Sequence, residues 1–86
     1  MTRDEIRASI LKVFCDRFEI DHPGLDEDLR AAYEFDSIDA VELLREIELL
    51  LGTVLTRNEK KAAMEIRTIN EIVDYVAALT ATRTAT

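Results

Sequence analysis

Apolar side chains recur along most of this chain with a spacing near 3.6 residues, which divides it into helices separated by punctuated connections. Ile6, Ile10, Val13 and Phe14 share one arc of a helical wheel, and Thr2 with Glu5 has capping-box spacing. A first helix is therefore expected from about Arg3 to Arg17. The strongest pattern follows the Asp36-Ser37 pair. Ala40, Leu43, Leu44, Ile47, Leu50 and Leu51 fall on one broad arc, which predicts a second helix from Ser37 to Leu51 closed by Gly52. Thr56 with Glu59 and Thr68 with Glu71 repeat the capping box. The first opens a short helix over about Arg57 to Met64. The second opens a helix from Ile69 to about Leu79 whose Ile69, Ile72, Val73 and Val76 form a narrow stripe. No alternating strand pattern competes with these periods. The fold expected is all-α: a four-helix bundle with a long loop between the first and second helices and a short third helix. One domain is expected over residues 1–79, with a frayed, disordered tail over 80–86, where Thr and Ala alternate around one Arg.

The long first loop carries Phe18, Ile20, Leu25, Leu29, Tyr33 and Phe35 at intervals suited to pinning it onto the bundle, around the breaker Asp21-His22-Pro23-Gly24. Only two glycines and one proline occur in 86 residues, which agrees with a helical chain. The formal net charge of −7 repels nucleic acid and anionic membranes. It favours partners with basic surfaces and a monomeric, soluble domain. Cys15 is the sole cysteine, so no internal disulfide is possible and a cytoplasmic setting is expected, with Cys15 as a small apolar residue on the first helix. No apolar run approaches the roughly 20 residues of a membrane span.

The candidate chemistry lies where loop becomes helix. Asp36 or Ser37 can cap the first turn, and a hydroxyl there points outward beside the positive end of the helix dipole, a favourable place for a covalently attached phosphate. The plainest reading of Ser37 is an unmodified cap, although Asp36 could cap equally well. The outer arc of the second helix interleaves Ile38, Asp39, Glu42, Arg45, Glu46 and Leu49, with Val41 and Glu48 at a flank. Taken alone this is a solvated face with scattered apolar residues. Directly after an exposed serine it reads as a docking surface, its acids steering a basic partner and its apolar residues supplying contact area. Asp26-Glu27-Asp28 lacks the spacing and glycine of a calcium loop, and His22 has no visible second ligand or nucleophile. No metal site, phosphate loop or acid–base pair is recognisable, so the chain is not read as an enzyme.

From about Ile6 to Val76 the chain resembles the acyl carrier proteins. The resemblance rests on the long first loop, Asp36-Ser37-Ile38-Asp39 with Val41-Glu42-Leu43, the short third helix, and Thr68-Ile69 leading into Tyr75-Val76. It implies that a phosphopantetheinyl transferase moves 4′-phosphopantetheine from coenzyme A onto Ser37, and that acyl intermediates ride on this arm as thioesters. They would pass between acyl-loading and acyl-processing enzymes with basic patches, in fatty acid, polyketide or related lipid biosynthesis. Asp36, Asp39, Glu42 and Glu48 fall on positions that meet those patches in the family, with Ile38 and Val41 as apolar contacts. An aminoacyl or peptidyl carrier, and an unmodified helical interaction domain, are the alternatives. The chain also departs from the family pattern. Glu34 replaces the usual glycine two residues before Asp36, which suggests a different backbone there. Leu49 replaces a frequent acid, and Arg45 interrupts the acidic stripe. Arg57, Lys60 and Lys61 with Arg67 are basic where most members are acidic, so a partner set distinct from that of a housekeeping fatty-acid carrier is expected.

Overall fold

The computed structural model describes residues 2–84. Its helices are α1 (Arg3–Phe18), α2 (Leu29–Tyr33), α3 (Ser37–Leu51), α4 (Arg57–Ala63) and α5 (Ile69–Thr84). The all-helical bundle expected from the periodicity is present, and α2 is one short helix more than was read from the sequence. α1 and α4 begin at the anticipated capping boxes, and Thr68 and Glu71 exchange bonds of 3.1 Å at the start of α5. Gly52 ends α3 in the left-handed region, at φ 66°.

The core is one apolar cluster. Ile6, Ile10 and Phe14 of α1 meet the Ile69, Ile72, Val73 and Val76 stripe of α5, and Ala40, Leu43, Leu44 and Ile47 of α3 close the third side. Phe14, Phe18 and Phe35 form an aromatic triangle with ring centroids 5.2 to 5.4 Å apart. That geometry adds favourable quadrupole contacts to the area the rings bury. Among the described residues, no helix is long and apolar enough to cross a membrane.

Several expectations are corrected. The loop between α1 and α3 is partly helical because Asp28 accepts bonds from the Arg30 and Ala31 amides and so starts α2. Leu29 and Phe35 pin this segment into the core as anticipated, but Tyr33 is at the surface, its hydroxyl donating to Glu27 at 2.7 Å. Polar bonds finish the anchoring. The Leu29 amide donates to the Arg67 carbonyl at 2.8 Å, Asn70 Nδ2 to Asp26 Oδ1 at 2.7 Å, and Arg30 Nη2 to the Met64 carbonyl at 2.6 Å. Cys15 lies on α1 but is exposed, on the side turned away from the core. α5 runs to Thr84, five residues beyond the expected end at Leu79. Alanine favours helix strongly and carries the segment past the two threonines, whose hydroxyls donate to the carbonyls of Ala77 and Ala78. The rest of the expected tail, Ala85 and Thr86, lies outside the described residues.

Candidate functional site

Asp36, not Ser37, caps α3. Its Oδ1 accepts from the Ile38 and Asp39 amides, both at 3.0 Å, and Asp39 Oδ2 accepts from the Asp36 amide at 3.2 Å. The reciprocal pair satisfies amides that the helix itself leaves unpaired. Ser37 is thereby relieved of any capping duty. It is the first helical residue, it is exposed, and its hydroxyl makes no hydrogen bond among the described residues.

Two features hold this junction in place. Phe35, 5% exposed, stacks on Phe14 with centroids 5.4 Å apart and fixes the chain just before the cap. Glu34 adopts φ 55° and ψ 35° as the C-cap of α2, its amide returning to the Leu29 carbonyl. A glutamate here occupies the left-handed region that glycine favours, at a steric cost offset by the burial of Phe35 next to it and of Leu29 at the start of α2.

The outer face of α3 is open. Ile38 is 76% exposed, Val41 58% and Leu49 70%, and Val54 just beyond the helix is 75% exposed. Glu42 and Arg45 are exposed beside them, with no ion pair to either among the described residues. The other acids are partly committed. Asp36 and Asp39 hold the cap, Glu46 pairs with Arg17 at 2.9 Å, and Glu48 Oε2 accepts from the Leu55 amide at 2.8 Å. Glu48, expected to face a partner, is thus half-buried and used to tie down the segment after α3. Glu42 remains the acid on this face with no intramolecular role.

A cleft of about 290 Å³ opens beside the serine end of α3, lined by Arg17, Phe18, Tyr33, Phe35, Asp39 and Glu42 among others. Sequence reasoning missed Arg17, Tyr33 and Val54 as surface features. Arg17 and Tyr33 sit in segments read for their apolar neighbours, and Val54 follows a turn with no periodicity to assign it a face. Arg57, Lys60, Lys61 and Arg67 are exposed, Arg67 within 4.0 Å of Asp28. His22 is exposed and 2.8 Å from Asp21, and no cluster of metal-binding side chains occurs among the described residues. Asp26, Glu27 and Asp28 serve as acceptors for Asn70, Tyr33 and the start of α2.

The arrangement suits attachment of a phosphodiester. An exposed primary hydroxyl with no other duty stands at the positive end of a 15-residue helix, and both neighbouring carboxylates are drawn into backbone bonds. Comparison with known proteins gives the family. The family model described as the phosphopantetheine attachment site matches residues 8–76. A curated acyl carrier protein of Rubrobacter xylanophilus is 36% identical over 78 residues, covering 88% of this chain and 93% of that protein.

Proposed function

The chain belongs to the phosphopantetheine-attachment family as an acyl carrier protein, and from that premise we propose that Ser37 bears the arm and that the outer face of α3 receives the enzymes that load and use it. Membership makes the protein a carrier with covalent 4′-phosphopantetheine, not a catalyst. When attached, the arm supplies a terminal thiol able to hold an acyl group on a flexible tether. The protein's own part is to present the attachment oxygen, hold its backbone still and offer a landing surface.

One observation carries the assignment of Ser37: Asp36 takes the cap and leaves the neighbouring hydroxyl exposed. Asp36 and Asp39 shape the junction. Ile38 and Val41 provide apolar contact, and Glu42 and Arg45 provide charge. Cargo from fatty acid, polyketide or related lipid biosynthesis, and a cytoplasmic setting, belong to the same proposal. They are supported by the name of the related carrier and by the single cysteine. The test is intact mass after incubation with coenzyme A, magnesium and a broad-specificity phosphopantetheinyl transferase. Wild-type protein gains one arm and Ser37→Ala gains none. Loading of the Ser37→Ala variant would remove Ser37 from the account.

A further inference from the structure

Glu34, Phe35 and Asp36 join α2 to α3, and two of their side chains have internal tasks. Phe35 is buried and stacked on Phe14, and Asp36 caps α3. Glu34 differs. Its amide closes α2, but its carboxylate is exposed and has no hydrogen bond or ion pair among the described residues. With Phe35 and Asp36 fixed, that free carboxylate is held near the attachment site. Three residues of chain reach at most about 11 Å, which bounds the distance between the Cα atoms of Glu34 and Ser37.

Stability does not account for a glutamate at this position. Its φ of 55° lies in the left-handed region, where a β-carbon is crowded and glycine is not. A carboxylate at the C-terminal end of a helix also meets exposed carbonyls, the negative pole of the dipole. Asp36 and Asp39 follow within five residues and repel it. Glycine would avoid all three penalties. A residue that keeps a costly conformation with no internal partner for its side chain points to a task outside the fold. Glu19 and His22 are the other non-glycine residues with positive φ among those described, and neither lies in the connection that delivers Ser37.

We propose that Glu34 is a specificity-determining residue for loading of the arm, its carboxylate pairing with an arginine or lysine of the phosphopantetheinyl transferase at the edge of the Ser37 site. The proposal rests on Ser37 as the attachment point. An anion in this place favours a transferase with a cation opposite it and penalises one with a carboxylate there. A contact at the rim acts on capture of the carrier, so its loss raises KM and leaves kcat unchanged.

The test compares the full unloaded chain with Glu34→Gln, Glu34→Gly and Asp4→Asn, using coenzyme A, magnesium and a phosphopantetheinyl transferase of basic surface. Glu34→Gln keeps the side-chain shape and removes the charge. It should raise both KM for the carrier and the calorimetric Kd for the transferase by about fivefold at low salt, with kcat unchanged. At about 1 M salt, where screening acts within about 3 Å, the difference should shrink to about twofold or less. Glu34→Gly should lose as much while its urea midpoint rises, which separates the carboxylate from the backbone. About 21 Å of α1 separates Asp4 from Phe18, which packs on Phe35. Asp4→Asn makes the same change in net charge at that far end and should stay near wild type. Unchanged KM and Kd in Glu34→Gln, an equal loss in Asp4→Asn, or a fall in kcat alone would each overturn the proposal. Intact mass is read in the same assays. An arm on Ser37→Ala would overturn the assignment of Ser37, whereas an unmoved KM with Ser37→Ala unloaded overturns only the role of Glu34.

Discussion

At the residue scale, the clearest division of labour is between Asp36 and Ser37. Sequence alone permitted either to cap, because both side chains suit the position. The geometry resolves the pair: the carboxylate takes the amides and the hydroxyl is left exposed. Asp36→Ala should therefore destabilise α3 by about 1 kcal/mol in urea melts, the usual worth of such a cap, whereas Ser37→Ala should leave the melt within about 0.5 kcal/mol of wild type. Glu34 makes the opposite point. The sequence does not signal its φ of 55°, which the packing of Leu29 and Phe35 around it holds in place. Glu34→Gly relieves a left-handed strain of roughly 1–2 kcal/mol and adds about 0.5–1 kcal/mol of unfolded-chain freedom. A net gain of about 0.5–1 kcal/mol follows, measurable as a raised urea midpoint. At α1, Glu5 is held below the ordinary glutamate value of 4.5 by the Thr2 amide and hydroxyl. A lowered folded pKa means the stabilisation is present above the unfolded value and fades as pH falls through the folded one. Thr2→Ala keeps the amide and loses only the hydroxyl, so it should reduce, without abolishing, this contribution to the acid limb of a pH–stability profile.

At the element scale, what the sequence made legible was whatever repeats. The inner arc of α3, the α5 stripe, the capping boxes and the Gly52 terminator each depend on neighbours within a turn or two, so pattern reading finds them. The exposed Ile38, Val41 and Leu49 were legible for the same reason, because an apolar residue off the core arc has nowhere to go but out. The connection between α1 and α3 was legible only in part. Its apolar pins could be counted, but the bonds from Leu29 to Arg67, Asn70 to Asp26 and Arg30 to Met64 join residues more than 30 positions apart. No local signal encodes such pairings. The second task of Glu48 was hidden for the same reason: its bond to Leu55 makes it a brace for the chain leaving α3. Phe14 is where these elements converge, fully buried and touching both Phe18 and Phe35. Phe14→Ala should cost roughly 3–5 kcal/mol. That is much of the stability of a small domain, and the variant should show a collapsed near-ultraviolet signal with residual helix by circular dichroism.

At the scale of the whole molecule, a net charge of −7 overstates how much acid is available to a partner. Glu5, Asp28, Asp36, Asp39, Glu48, Glu59 and Glu71 all accept backbone bonds. Their charge contributes to the long-range field, yet one oxygen of each is occupied. Steering and contact are consequently separate jobs here. The field of the whole acidic surface can steer a basic partner only within a Debye length of about 10 Å at 0.1 M salt, whereas uncommitted groups on α3 act on contact. Charge reversal discriminates between these jobs if it is made where no cap is lost. Asp39→Lys would confuse the two, because it also breaks the box with Asp36. Glu42→Lys does not, since Glu42 has no intramolecular role on the exposed face. With a phosphopantetheinyl transferase of basic surface, loading of the wild-type protein should slow as salt rises. Glu42→Lys should lower kcat/KM by about tenfold at low salt and flatten that dependence, with an unchanged urea midpoint. Equal salt slopes for the two proteins would assign recognition to the diffuse field alone and take Glu42 out of the landing surface.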